Sequence, residues 1–140
     1  MEENRCDYQE LSHTAEVGIR VRADSPAALY ACAAQAMFAL LEAGEDPNET
    51  PTPRSVTVES MDPESLLVDW LNELLFLYET TGQVFTQCQV TEWSPTRLEA
   101  TVYGRTPTRP PRFDIKAVTY HDLQVGQDEE GWFAQVIFDI

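Results

Sequence analysis

The chain has 140 residues, 43% of them hydrophobic and 24% charged, the composition of one folded domain (1–140) able to bury a core without metal or disulfide staples. Nine Lys and Arg stand against 24 Asp and Glu, a formal net charge of -15, which excludes a broad phosphate-binding surface and hence direct tight binding of RNA or DNA. Basic proteins or divalent cations are the partners that such a surface favours.

No run reaches the roughly 18 apolar residues of a membrane helix, so no membrane partner is expected. The start, MEENRCDYQEL, is polar and acidic, unlike a secretory leader, and a cytoplasmic location is expected. Cys6, Cys32 and Cys88 are odd in number, far apart and lack a C-x-x-C spacing. Cys32 lies in an alanine-rich apolar stretch and reads as a small buried hydrophobe. Neither a disulfide framework nor a zinc cluster is expected.

In chain order, the first clear element is Val17–Ala23, VGIRVRA. Val17, Ile19 and Val21 alternate with Gly18, Arg20 and Arg22, the pattern of a half-buried strand. In DSPAALYACAAQAMFALLEAG, Ser25 suits an N-cap and Pro26 the first helical position. Leu29, Cys32, Ala33, Ala36, Met37 and Leu40 recur at helical spacing, and Gly44 reads as the stop. Residues 45–54, EDPNETPTPR, read as a loop, and Val56 and Val58 as a short strand.

The second helix repeats this grammar. Asp62 caps, Pro63 starts, and Leu66, Leu67, Trp70, Leu71, Leu74, Leu75 and Tyr78 form a core-facing stripe that Gly82 closes. Val84–Glu92, Leu98–Tyr103, Ile115–Val125 and Trp132–Ile140 then read as strands separated by turns. The fold expected is α+β, a largely antiparallel sheet with two main helices packed on it.

Two stretches carry chemistry. One is LSHTAEVGI, with His13 and Glu16 just before a strand; the other is FAQVIFDI at the end. In the last strand Phe133, Gln135, Ile137 and Asp139 share one face. If that strand is held in the sheet, Asp139 and the carboxylate of Ile140 lie close together. A third carboxylate such as Glu16 would concentrate negative charge there, a site for Ca²⁺, Mg²⁺ or Mn²⁺. Lys116 is the only lysine against eight arginines, and His13 and His121 are the only histidines. Lys116 and His121 are five residues apart, so on an uninterrupted strand they would occupy opposite faces unless a bulge intervenes. No phosphate loop, G-x-G-x-x-G, G-x-S-x-G or H-E-x-x-H is present.

Three motifs in order, HTAEVGI, IKAVTYHDLQV and a final VIFDI, together resemble the archease family. The helical stretches DSPAALYACAAQAMFALL and ESLLVDWLNELLFLYE are similar to its two helices. The resemblance spans almost the whole chain. It implies an accessory protein of the RtcB-type RNA ligase, which uses GTP and divalent metal to join RNA 3′-phosphate or 2′,3′-cyclic phosphate ends to 5′-hydroxyl ends in tRNA splicing and RNA repair. The family promotes guanylylation and multiple turnover of the ligase and is not itself the enzyme.

By the same resemblance a divalent cation falls to Glu16, Asp139 and Ile140, and Lys116 matches a functional lysine. His13 and His121 lie in the same motifs. Two departures matter: the family usually has aspartate at the position of Glu16 and an acidic residue at that of Ser12. The extra methylene of Glu16 is expected to shift or weaken the cation site. The alternatives are a general chaperone or assembly modulator without a functional metal site, and, less favoured, a small metal-dependent hydrolase.

Overall fold

A computed structural model describes residues 6–13 and 15–140; of His13 the backbone alone is described. The elements run β1 (Asp7–His13), β2 (Glu16–Ala23), α1 (Pro26–Leu40), β3 (Thr52–Glu59), α2 (Pro63–Thr81), β4 (Val84–Ser94), β5 (Arg97–Arg105), β6 (Ala117–Val118), β7 (Gln124–Asp128) and β8 (Gly131–Asp139). They build two antiparallel sheets rather than one. The five-stranded sheet has the order β1-β2-β8-β6, with β7 also pairing β8. The three-stranded sheet has the order β3-β5-β4.

Helix α1 packs against β1, β2 and β8 of one sheet and against β4 of the other. This central position buries Tyr30, Ala34 and Phe38 along with the expected apolar positions. Helix α2 buries Leu66, Leu67, Val68, Trp70, Leu71, Leu74 and Leu75, the stripe read from the sequence with Val68 added and Tyr78 only half-buried. The Trp70 indole N–H donates to the Tyr30 carbonyl at 2.9 Å and ties the helices together. One hydrophobic cluster joins both helices and both sheets.

The caps follow the local chemistry. Ser25 Oγ accepts from the Ala28 amide at 3.2 Å and Asp62 Oδ1 from that of Ser65 at 2.7 Å, each satisfying an otherwise orphan N–H. Gly82 ends α2 at φ 74°, in the left-handed region. Gly44 does not end α1. That helix stops at Leu40, the Leu41 and Glu42 amides reach back to Phe38 and Ala39, and Glu42 takes the positive φ of 50°. Gly44, also at positive φ (65°), lies beyond that end against Thr108 and Arg109, where a Cβ would collide.

Three further expectations are corrected. β1 was not anticipated: it is an edge strand whose mostly exposed residues carry no apolar alternation. β3 begins inside the supposed 45–54 loop, because Pro53 lies on an edge strand, where a missing N–H leaves no ladder bond unmade. The chemistry of the cysteines also differs, since Cys6 and Cys32 form a disulfide that ties the start of β1 to α1. Cys88 is free, and burial pushes its thiol up to about 12.

Candidate functional site

The start of β2 is the corner on which the candidate residues converge. In the β2–β8 ladder Glu16 stands opposite Asp139, in the β1–β2 ladder His13 stands opposite Glu16, and in the β6–β8 ladder Ala117 stands opposite Asp139. His13, Glu16, Asp139 and Ala117 therefore form one row across four strands. Direct partners in antiparallel strands share a face, with Cβ atoms about 4.5–5.5 Å apart. It is the outer face, because the alternate residues Val17, Ile19 and Val21 are buried against the core.

Backbone bonds close the corner. The Lys116 amide donates to the Asp139 carbonyl at 2.7 Å, and the Ile140 amide to the Ala15 carbonyl at 3.3 Å. Ala15 has φ 63°, an uncommon conformation for a non-glycine residue, at the turn between β1 and β2. Gly18, two residues along the outer face, lets the Ile137 side chain lie across the sheet. A Cβ there would sit 2.6 Å from Ile137 Cδ1 and 2.8 Å from the Val136 carbonyl oxygen.

The structure thus brings Glu16, Asp139, Ile140 and the backbone of Lys116 together. Glu16 and Ile140 are half-buried, while Asp139 and Lys116 are exposed. The side chain of His13 lies outside the described residues. Ser12 pairs with Val17 and so alternates to the opposite face from the Glu16 row; its hydroxyl donates to Glu10 at 2.9 Å.

His121 stands apart. The expected strand over residues 115–125 is interrupted: after Thr119 bonds to Ile137, the four residues 120–123 loop out against the single Val136 before Gln124 pairs with Gln135. The parity rule for Lys116 and His121 therefore does not apply. His121 is exposed on this turn, with Nε2 3.3 Å from Asp122 Oδ2.

Oxygen donors on a shared face suit a hard cation. Among the described residues no three His, Cys, Asp or Glu side chains converge as a metal-binding group, so a cation at this corner would need a donor of another kind, such as the terminal carboxylate of Ile140. Two surface depressions, of about 420 and 460 Å³, lie between α1 and β4 and share no residue with the row.

Sequence reasoning passed over Arg20 and Gln135. Their signal was a lone amide between Phe133 and Ile137 on one strand face, opposite an arginine at matching register. Arg20 donates to Gln135 Oε1 through Nε at 3.1 Å and Nη2 at 2.6 Å. Among the described residues no helix is long and apolar enough to cross a membrane.

Comparison with known proteins agrees with this architecture. The Archease protein family model matches residues 8–140. Protein archease of Methanosarcina acetivorans is 36% identical over 141 residues, covering 95% of each chain. That of Pyrococcus abyssi is 34% identical over 141 residues, covering 95% of this chain and 98% of the relative. The solution structure of Methanobacterium thermoautotrophicum protein 1598 superimposes with a TM-score of 0.73 at 28% identity, covering 95% and 98% of the two chains. A Thermotoga maritima crystal structure, described as an archease and possible chaperone, shares the fold with a TM-score of 0.58 at 19% identity, over 94% and 96% of the chains. With the family model spanning all but the first seven residues, and the two helices and the paired strands in place, this chain belongs to the archease family.

Proposed function

We propose that this chain is a non-enzymatic activator of an RtcB-type, GTP-dependent RNA ligase, promoting ligase guanylylation and multiple turnover in tRNA splicing and RNA repair. The observation that supports this reading is the register that sets Glu16 opposite Asp139, with Ile140 and Lys116 bonded into the same corner. Glu16, Asp139 and Ile140 would hold a divalent cation, Ca²⁺, Mg²⁺ or Mn²⁺. Bound there, the cation supplies positive charge that relieves the repulsion of the paired carboxylates.

Lys116 carries a compact, strongly hydrated charge on a flexible stem, suited to a phosphate or carboxylate at the contact with the ligase. His13, in the Glu16 row, and His121, exposed on the turn beyond Lys116, would extend that contact. The net charge of -15 fits a protein that visits a basic, RNA-binding enzyme in the cytoplasm without holding RNA itself.

The test is guanylylation of the ligase from the same organism at limiting enzyme. Wild type is expected to stimulate it, while folded Lys116→Ala, Glu16→Ala and Asp139→Ala do not. Residues added after Ile140 are expected to abolish stimulation as well. Full multiple-turnover ligation with all three alanine variants sinks the site assignment. A general chaperone would instead tolerate Asp139→Asn and suppress aggregation of unrelated proteins.

A further inference from the structure

Among the described residues Gln135 is the sole polar side chain in the buried set, 7% exposed in β8 between Ala134 and Val136. Burying an amide is costly unless both of its ends are paired. Here both are. Oε1 takes two N–H bonds from Arg20, and Nε2 donates to the Asp122 carbonyl at 2.9 Å. A guanidinium has only donors, so Arg20 dictates which end of the amide is oxygen and thereby aims the NH₂ group at Asp122.

Asp122 needs holding. It is a non-glycine residue at φ 51°, inside the 120–123 loop-out, a backbone state that persists only when its surroundings impose it. The leading limb of this segment is pinned elsewhere. The Lys116 amide bonds the Asp139 carbonyl, the Val118 amide bonds Asn72 Oδ1 at 3.3 Å, and the Thr119 amide and hydroxyl both bond the Ile137 carbonyl, at 3.0 and 2.9 Å. The trailing limb enters the β7–β8 ladder at Gln124, and within the turn itself Gln135 Nε2 holds the Asp122 carbonyl. Between the two pins lies His121, exposed, its amide donating to Thr119 Oγ1 at 3.2 Å.

We infer that Gln135, oriented by Arg20, is a positioning residue that keeps the Tyr120–Leu123 turn preformed, so that the segment from Lys116 to His121 meets its protein partner already ordered. A preformed segment avoids the ordering cost of association. The inference rests on the ligase reading for the identity of that partner.

The test is Gln135→Glu. The carboxylate still accepts from Arg20 but cannot donate to Asp122, so one half of the latch is cut and the other kept. Amide hydrogen exchange at residues 120–123 is expected to speed up while the core of the sheet stays protected. The concentration of this protein giving half-maximal ligase guanylylation is expected to rise about tenfold, with maximal stimulation kept, as for a lost preorganisation. Gln135→Met, apolar and of similar length, makes neither bond and is expected to act alike, which keeps the test decisive if the glutamate variant does not fold. Unchanged exchange in the turn, or unchanged half-saturation in a folded variant, overturns the role of Gln135 and leaves the ligase reading standing. Absence of stimulation by wild type sinks the ligase reading, and the partner contact with it.

Discussion

Glu16 and Asp139 face one another at the end of the β2–β8 ladder, 123 positions apart in sequence and direct partners in register. Like charges directly opposite in a sheet destabilise it by about 0.2–1 kcal/mol. The fold bears this cost on a face where the carboxylates are not buried, with the Lys116 and Ile140 amides bonded into the same corner.

Removing one charge should therefore act oppositely with and without a cation. In chelator, Glu16→Gln or Asp139→Asn is expected to raise the melting temperature slightly, by the relief of about 0.2–1 kcal/mol of repulsion. With Ca²⁺ or Mn²⁺ in excess, wild type should rise by mass action while the variants do not. Thermal scans across both conditions check this. A wild-type transition unmoved by Ca²⁺, Mg²⁺ and Mn²⁺ alike removes the cation from the proposal.

The Cys6–Cys32 bond closes a loop with a sequence separation of 26, for which the chain-entropy argument gives about 3.5 kcal/mol of stabilisation. Reductant is expected to lower the urea midpoint, and Cys6→Ser to match reduced wild type without responding to reductant. Burial raises the Cys88 thiol to about 12, so the native unreduced protein should take up essentially no alkylating reagent at mildly alkaline pH. Mass spectrometry showing three alkylated sulfurs without reduction or unfolding would contradict the bond.

A third expectation concerns acid. Arg112 Nη2 lies 2.6 Å from Glu10 Oε2 and Nη1 lies 3.2 Å from Glu42 Oε2, tying edge strand β1 to the segment after β5. The Arg112 hydrogen bond, and secondarily that of Ser12, hold the Glu10 carboxyl below the usual glutamate range. A depressed carboxyl contributes stability above its unfolded value and loses it as pH falls through the folded one. Glu10→Gln should thus cost stability near neutrality, and its curve should meet that of wild type once acid has protonated Glu10. Urea midpoints from neutrality down to about pH 3 test this; parallel curves throughout would show that the pair contributes nothing.

Much of the local structure was legible because its causes are local. Ser25-Pro26 and Asp62-Pro63 announce helix starts, since one side-chain oxygen and one fixed φ suffice. The alternation over Val17–Ala23 and the period of Leu66 to Leu75 give the buried faces directly. The misreadings share a cause too. β1 buries little, Pro53 is tolerated only because β3 is an edge, and α1 ends short of Gly44, which takes its positive φ of 65° further on, where it lies against Thr108 and Arg109. In each case a neighbour distant in sequence overrides the local preference.

Of the candidate site, the residue types were readable and their meeting was not. By itself the sequence determined two capped helices, a run of antiparallel strands, an acidic surface, and a Glu16, Lys116 and Asp139 too polar for the core. Periodicity reaches only as far as one element. Which strands become neighbours, and in which register, depends on burying the whole cluster around α1 and α2 at once. The tertiary structure alone decided that Glu16 faces Asp139, that the strand after Lys116 opens into a turn held by Gln135, and that Cys6 lands on Cys32, because each requires two distant segments to pack on the same core.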